Sequence, residues 1–367
     1  MHRLQEEALS SVWGAVLMVG EVHSQGDQAA LEILFCADPS YYQHAAVAAV
    51  SLAENNRSSR INIHVLTCHG DQVAEGLLRK SVAAYGHVTL AFHYVSEARL
   101  ERTFVDRHLT KETYMRFLAP EVFPAEVNRV LYLDCDLVVL DDLRPLLAMD
   151  MRGKAIAAAP DYPVDRPEIM AKRLASLGLD AGHTYVNAGV LVLDLGRWRR
   201  DRLSDRLFAY AEQQGAALAY HDQDTINAVL HDDIHVLDGR WNLQARMYQL
   251  DRRSFPNEFE ATRQARRRPA ILHYTTKHKP WLFRSGAPRK RHYFRYLNET
   301  AWRDMHSKMP TALQRMERWL GRQLLNVNID YVLLISLKHY VASKLHRLWR
   351  HLTSARQRML PRSTPQQ

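Results

Sequence analysis

Short apolar runs alternating with helix-periodic stretches constrain this 367-residue chain more than any other feature. "LEILFC" (Leu31 to Cys36) ends in the polar turn Asp38-Pro39-Ser40, and an Ala-rich helical pattern follows from Tyr42 to Leu52. "INIHVLT" (Ile61 to Thr67) reads as a strand, Gln72 to Tyr85 as a helix and His87 to Tyr94 as a strand again. Strands separated by helices in this rhythm build βαβ units and a largely parallel sheet with helices on its faces. Further strands are expected at Arg129 to Leu133, Ala155 to Ala159, Gly189 to Leu193 and Ala270 to Tyr274. Helical spacing recurs at Ser204 to Gln214 and Gln223 to Leu230, and "TYMRFLAPEVF" reads as a helix broken near Pro120. The charged stretch "RRSFPNEFEATRQARRRP" reads as a loop. Residues 1–30 form an N-terminal arm, and the α/β domain spans residues 31–300.

Within this frame "RVLYLDCDLVVLDDL" (Arg129 to Leu143) places Asp134 and Asp136 between two apolar runs. An unpaired carboxylate is costly away from water, so two of them mark where the strand leaves the core. Ligands of open α/β sheets bind beyond the carboxyl ends of the strands. Residues i and i+2 of extended backbone point the same way, so both acids can converge on one hard cation that screens a diphosphate. Asp also favours turns for local reasons, and this motif alone does not separate a turn from a metal site.

Three other segments add weight. "YVNAGVLVLDLGRWR" (Tyr185 to Arg199) joins a polar Asn-Ala-Gly turn to an apolar strand. "HDQDTINAVL" (His221 to Leu230) puts Asp222, Gln223 and Asp224 at a helix start. "ILHYTTKHKPW" (Ile271 to Trp281) ends a strand at His273 and then offers Lys277 and Lys279. Single residues have plain alternatives: His273 as a strand-end histidine, Asp222 as a helix cap, Lys277 and Lys279 as a solvated pair, Tyr41 as ordinary packing, and Arg116, in "TYMRF", pairing with Glu112.

Taken together, these segments resemble glycosyltransferase family 8, the retaining sugar-nucleotide-dependent transferases, and most nearly the bacterial lipopolysaccharide galactosyl- and glucosyltransferases. The resemblance runs from about Leu31 to Trp281. It implies a GT-A fold, Rossmann-like with a mostly parallel central sheet flanked by helices. It also implies a UDP-hexose donor (glucose or galactose) and Mn²⁺, with Mg²⁺ as the alternative ion. The acceptor would be an oligosaccharide or lipid-linked glycan such as the lipopolysaccharide core. On these positions it makes Asp134, Asp136 and His273 metal ligands. Ala37, Asp38, Ser40 and Tyr41 become the nucleotide-binding turn, Asp38 near uracil and Tyr41 stacking on it, and Lys279 the diphosphate lysine. Arg116 and Asn187 would lie beside the donor sugar, with Asp222 and Gln223 against the transferred sugar; Asp161 would face the acceptor. Two departures stand out: Ser40 where relatives often carry Asn, and Thr276 where a Gly is common. Thr276 raises the alternative of an inactive sugar-nucleotide-binding scaffold; a glycogenin-like protein glucosyltransferase is another. Gln223 is a poor nucleophile, so retention by same-face attack is expected, with Asp222 a sugar hydroxyl ligand or the fallback nucleophile.

From about Thr311 the chain changes character. Leu334, Leu337, Val341, Leu345, Leu348 and Leu352 share one helical face, with Arg347 and Arg350 on the other. Residues 311–367 therefore read as a basic amphipathic extension, whose apolar face either packs against the α/β domain or anchors the chain at an anionic membrane surface. The net charge of +9 agrees with an anionic partner. No basic-aromatic module points to nucleic acid. "SVWGAVLMVG" (Ser11 to Gly20) is too short to span a bilayer and follows Glu6 and Glu7, so no secretory signal is read. Cys36, Cys68 and Cys135 have no zinc spacing and read as reduced, buried thiols. A cytoplasmic protein, peripheral on the inner membrane face, is expected.

Overall fold

The computed structural model describes residues 30–304 other than 102, 105–110, 162–166, 251, 254, 276–277 and 283–284. A compact unit begins at Leu31. The arm of residues 1–30, apart from Ala30, and the extension of residues 311–367 lie outside the described residues.

The chain opens with β1 (Leu31–Cys36), α1 (Tyr42–Asn55), β2 (Ile61–Thr67), α2 (Gln72–Val82) and β3 (Val88–Tyr94). A 3₁₀ run, Lys111–Leu118, leads into the short helix α3 (Ala119–Val122), with Pro120 in its first turn. Then come β4 (Arg129–Leu133), β5 (Leu137–Val139), α4 (Arg144–Ala148), β6 (Ile156–Pro160), α5 (Pro167–Ser176) and β7 (Val186–Asp194). The rest is α6 (Leu195–Arg200), α7 (Leu203–Gln214), α8 (His221–Leu230), β8 (Ile234–Val236), β9 (Leu243–Gln244), α9 (Pro256–Arg267), β10 (Ile271–His273) and α10 (Arg291–Leu297).

The seven-stranded sheet has the order β3-β2-β1-β4-β7-β6-β8. Pairing is parallel from β3 through β4 and again between β6 and β8; β7 alone runs antiparallel to its neighbours. The mostly parallel α/β architecture is as the alternation predicts. The central strands β4, β6 and β7 are covered on both faces, which is why they read as near-continuous apolar runs, while edge strand β3 is only part-buried. Ile33, Phe35, Leu131 and Leu133 face one buried layer, and Leu34, Val130 and Tyr132 the other.

A smaller sheet, β5-β10-β9, is tied to the first by α1. The alanines of α1 let most of its length sit buried, Gln43, Glu54 and Asn55 excepted. The Ser51 hydroxyl accepts from Val139 N (2.9 Å), and the Asn56 side chain accepts from Leu143 N (2.8 Å). This small sheet assembles the candidate site. β5 begins directly after Asp136, and the antiparallel register sets His273 opposite Leu137.

Two local readings need correction. The charged stretch is not all loop: Pro256–Arg267 form helix α9, anchored by only Thr262 and Ala265. Asn187, Ala188 and Gly189 lie inside β7 rather than in a turn before it, because buried side chains satisfy their polar groups. The "TYMRF" segment is helical as read, a 3₁₀ run that gives way to α3 beside Pro120.

Candidate active site

The site forms where β4 ends between a parallel and an antiparallel neighbour. Asp134 follows β4 directly, and its N–H donates to Gly189 O of β7 (2.8 Å). Asp136 precedes β5, and its carbonyl accepts from Tyr274 N (2.9 Å). His273 Nε2 lies 3.0 Å from Asp136 Oδ1 and 3.4 Å from Asp134 Oδ2. One ligand atom from each of Asp134, Asp136 and His273 falls within 4.8 Å of the other two, the only such group among the described residues. Two carboxylates and one imidazole suit a hard or borderline divalent ion such as Mg²⁺ or Mn²⁺.

Gly189 shows why β7 can pass so close. A Cβ there would lie 2.1 Å from His273 Cε1 and 2.6 Å from Asp134 Oδ2. Glycine is required for space, not for an unusual backbone angle.

Positive groups surround the acids. The Lys279 ammonium pairs with Asp136 Oδ2 and donates to Tyr274 O (2.9 Å). Arg116, almost fully buried, donates to Ala188 O (2.6 Å) and Thr113 O (2.9 Å). It also pairs with Asp134 Oδ1 (3.2 Å) and Asp222 Oδ2 (3.1 Å), reaching across the site. Its guanidinium lies over the Tyr132 ring, and Tyr132 OH donates to Asp134 Oδ1 (2.6 Å).

These contacts set the charge states. Burial alone would raise both acids, but Arg116 and His273 hold Asp134 below the ordinary range, and Lys279 and His273 do the same for Asp136. Burial disfavours charged His273, yet Asp136 and Asp134 outweigh it and raise the imidazole to about 9. Asp222 is raised by burial, with Arg116 and Thr113 opposing.

α8 delivers a second group of buried polar side chains. His221, at φ +41°, opens the helix in a strained left-handed conformation, and Asp222, Gln223 and Asp224 follow buried in its first turn. The N-cap residue is Tyr220, whose backbone N–H donates to Asp224 Oδ2 (2.7 Å), so Asp222 is not the cap. Asp222 Oδ1 accepts from Thr113 Oγ1 (2.5 Å). Gln223 Oε1 accepts from Asn187 Nδ2 (3.0 Å), and its Nε2 donates to Asp161 Oδ2 (2.7 Å). The helix is pinned to β7 by Asn227, which exchanges bonds with Val186 N and O (2.8 and 2.9 Å). Tyr185 OH adds a bond to Asp224 (2.5 Å).

The expected nucleotide turn follows β1. Asp38 Oδ1 accepts from Ser40 N (2.7 Å) and starts a 3₁₀ turn ending at Tyr41. Ala37 is buried, its N–H bonded to Leu66 O (3.1 Å). Tyr41 is exposed and meets Trp281 edge-on, while Trp281 stacks on His44 at 3.5 Å. Cys135 Sγ reaches Cys36 O (3.6 Å), joining this turn to the acidic segment, and all three cysteines are free.

The structure thus brings Arg116, Asp134, Asp136, Asn187, Asp222, Gln223, His273 and Lys279 into one connected group, with Asp161 at its edge and the Ala37 to Tyr41 turn alongside. Thr276 and Lys277 lie outside the described residues. Sequence reading missed Tyr132, Thr113, Asn227 and Asn242; Asn242, inside "GRWN", meets His273 Nδ1 at 2.9 Å. A polar residue beside a tryptophan in a short loop was the only trace of it.

Residues 32–285 match the family described as glycosyl transferase family 8. The chain belongs to glycosyltransferase family 8. Among its relatives, General stress protein A of Bacillus subtilis is 28% identical over 279 residues, 74% of this chain and 94% of that protein. A lipopolysaccharide 1,2-glucosyltransferase of Escherichia coli is 24% identical over 74% of this chain and 79% of its own length. The crystal structure of the galactosyltransferase LgtC with donor and acceptor sugar analogues superposes with a TM-score of 0.64 at 25% identity. It covers 79% of this chain and 99% of that one. The fold is therefore GT-A, and the family makes this chain a glycosyltransferase.

Proposed function

We propose that this family 8 member is a metal-dependent, retaining hexosyltransferase. It moves glucose or galactose from a UDP-sugar to a lipid-linked oligosaccharide such as a lipopolysaccharide core. One observation carries the reading: Asp134, Asp136 and His273 converge at the open end of the sheet, against a strand whose Gly189 leaves them room. These three residues would hold Mn²⁺ or Mg²⁺, which supplies positive charge beside the departing diphosphate.

The chain's own residues account for the rest. Lys279 stands ready to exchange Asp136 for a diphosphate oxygen, as an ammonium suited to phosphate. The Ala37 to Tyr41 turn, with exposed Tyr41 beside Trp281, offers a surface for a uracil ring. Arg116, Asn187 and Asp222 line the place for the donor sugar.

Retention needs either a covalent intermediate or attack from the face of departure. Both oxygens of Asp222 are held, by Thr113 and Arg116, and Gln223 Oε1 already accepts from Asn187 and Ala188 N. Asp222 is thus committed to Arg116 and Thr113, and the Gln223 amide is a poor nucleophile. Same-face attack fits better. The anomeric carbon–oxygen bond breaks with its electron pair passing to the diphosphate, the acceptor oxygen bonds the same carbon, and its proton passes to the departing phosphate oxygen. Asp161, raised by burial despite Arg246, sits at the acceptor edge.

Residues 311–367, the basic amphipathic segment, would hold the enzyme at an anionic membrane carrying a lipid-linked acceptor. The test is hydrolysis of a panel of nucleotide sugars with Mn²⁺ and with chelator. Turnover of one UDP-hexose, lost with chelator, supports the reading and names the donor. Turnover that chelator leaves untouched refutes the metal, and turnover of non-uridine donors alone refutes UDP.

A further inference from the structure

Side chains from separate segments of the chain form one unbroken hydrogen-bonded line through the site. His273 Nδ1 meets Asn242 Oδ1 at 2.9 Å, and Asn242 Nδ2 donates to Asn187 Oδ1 at 2.8 Å. Asn187 Nδ2 donates to Gln223 Oε1 at 3.0 Å, and Gln223 Nε2 donates to Asp161 Oδ2 at 2.7 Å. His273, Asn242, Asn187 and Gln223 are buried, Asn242 completely, so each amide must find partners inside the protein.

An amide's orientation and a histidine's tautomer follow from their partners, and here backbone groups decide both. A backbone N–H can only donate. Gly189 N lies 3.0 Å from Asn187 at the atom that also faces Asn242, so that atom is the carbonyl oxygen. Asn242 must then present its NH₂ to Asn187 and its oxygen to His273. An oxygen there requires a proton on His273 Nδ1, which leaves Nε2 as the nitrogen that faces Asp134 and Asp136. Ala188 N, 3.2 Å from Gln223 Oε1, fixes the far half in the same way. Two consecutive N–H groups of β7 therefore set the direction of the whole line.

We propose that Asn242 is a positioning residue that couples the metal site to the sugar site. Its oxygen fixes His273 with Nε2 toward the ion, and its NH₂ fixes the Asn187 amide toward the donor sugar. The proposal rests on the metal and donor reading above. A ligating histidine commonly gives its other N–H to a partner of this kind; what is specific here is that the partner's second hand holds a sugar-side residue.

Two substitutions separate the two hands. Asn242→Asp keeps an acceptor for His273 Nδ1 but sets oxygen against Asn187 Oδ1, which cannot turn over without losing Gly189 N–H. Asn242→Leu, of similar size, removes both bonds. Mn²⁺ binding to the full chain is read by electron paramagnetic resonance without donor, and UDP-hexose kcat and KM are read separately. Asn242→Leu should weaken Mn²⁺ binding about 10- to 100-fold. Asn242→Asp should keep Mn²⁺ affinity within about threefold while kcat falls at least about tenfold. A merely structural asparagine would not split metal affinity from kcat in this way. Should Asn242→Leu fail to fold, the isosteric Asp variant decides alone. Parental kcat in Asn242→Asp, or parental Mn²⁺ affinity in a folded Asn242→Leu, overturns the proposal. Absence of Mn²⁺ binding by the parent chain overturns the metal reading and this proposal with it.

Discussion

Gly189→Ala is the smallest change that should disable the site. Its new Cβ would lie 2.1 Å from His273 Cε1 and 2.8 Å from His273 Nδ1. Carbon atoms in contact sit about 3.5–4.0 Å apart, so the ring must retreat by about 1.5 Å. β7 cannot move away instead. It is paired to β4 through Leu133↔Val190, and Gly189 O holds Asp134 N. Metal–ligand distances tolerate only about 0.2 Å, so the displaced imidazole no longer serves as a ligand. Loss of a supporting partner alone costs a metal site about 10- to 100-fold, so losing the ligand itself should cost at least about 100-fold in Mn²⁺ affinity. Overpacking should also lower stability by about 1–3 kcal/mol, measured by urea unfolding of the metal-free protein. On a His273→Ala background the same glycine substitution should cost clearly less, because its main obstacle is gone. Parental Mn²⁺ affinity and stability in Gly189→Ala would refute the steric reasoning.

Other consequences follow from the same contacts. Arg116→Ala leaves Asp222 buried without its guanidinium and should destabilise the fold by about 3–5 kcal/mol in urea, with turnover lost; an unchanged midpoint would contradict the buried-pair account. In metal-free protein, His273 is raised from 6.5 to about 9, so its ionised form stabilises the fold. That contribution is complete below about pH 6.5 and is lost as pH rises through about 9, amounting to roughly 3 kcal/mol at most. Melting of chelator-treated protein across this range should show the loss, and His273→Gln should lack it. Removing residues 311–367 should release the protein from vesicles containing anionic lipid while UDP binding persists; unchanged vesicle binding would sink the membrane proposal.

The βαβ rhythm was legible because strands buried on both faces leave long apolar runs, as in Leu31–Cys36 and Arg129–Leu133. Helix α9 was not, since it buries only Thr262 and Ala265 and is otherwise charged. The strand at β10 was legible as an apolar run, but its partners were not. β9 is two residues long and carries too little pattern to read, and β5 merges into the apolar run after Asp136. The "DCD" pair announced itself by breaking an apolar run. Its neighbours Arg116, Gln223 and His273 were picked out through a resemblance, since periodicity says nothing about residues that meet only after folding. Asn187 and Gly189 read as turn formers because Asn and Gly usually are. In a strand, they mark polar partners and close approach instead. Asn242 lay beyond reach, since nothing local shows that one amide spans two segments.

The most direct test of the metal site is a Mn²⁺ titration followed by electron paramagnetic resonance, with and without UDP, for the parent chain and for Asp136→Asn. The account predicts one Mn²⁺ per parent chain, bound more tightly with UDP, and loss of that site in the variant. Equal Mn²⁺ binding by parent and variant would mean that Asp134, Asp136 and His273 do not form the metal centre.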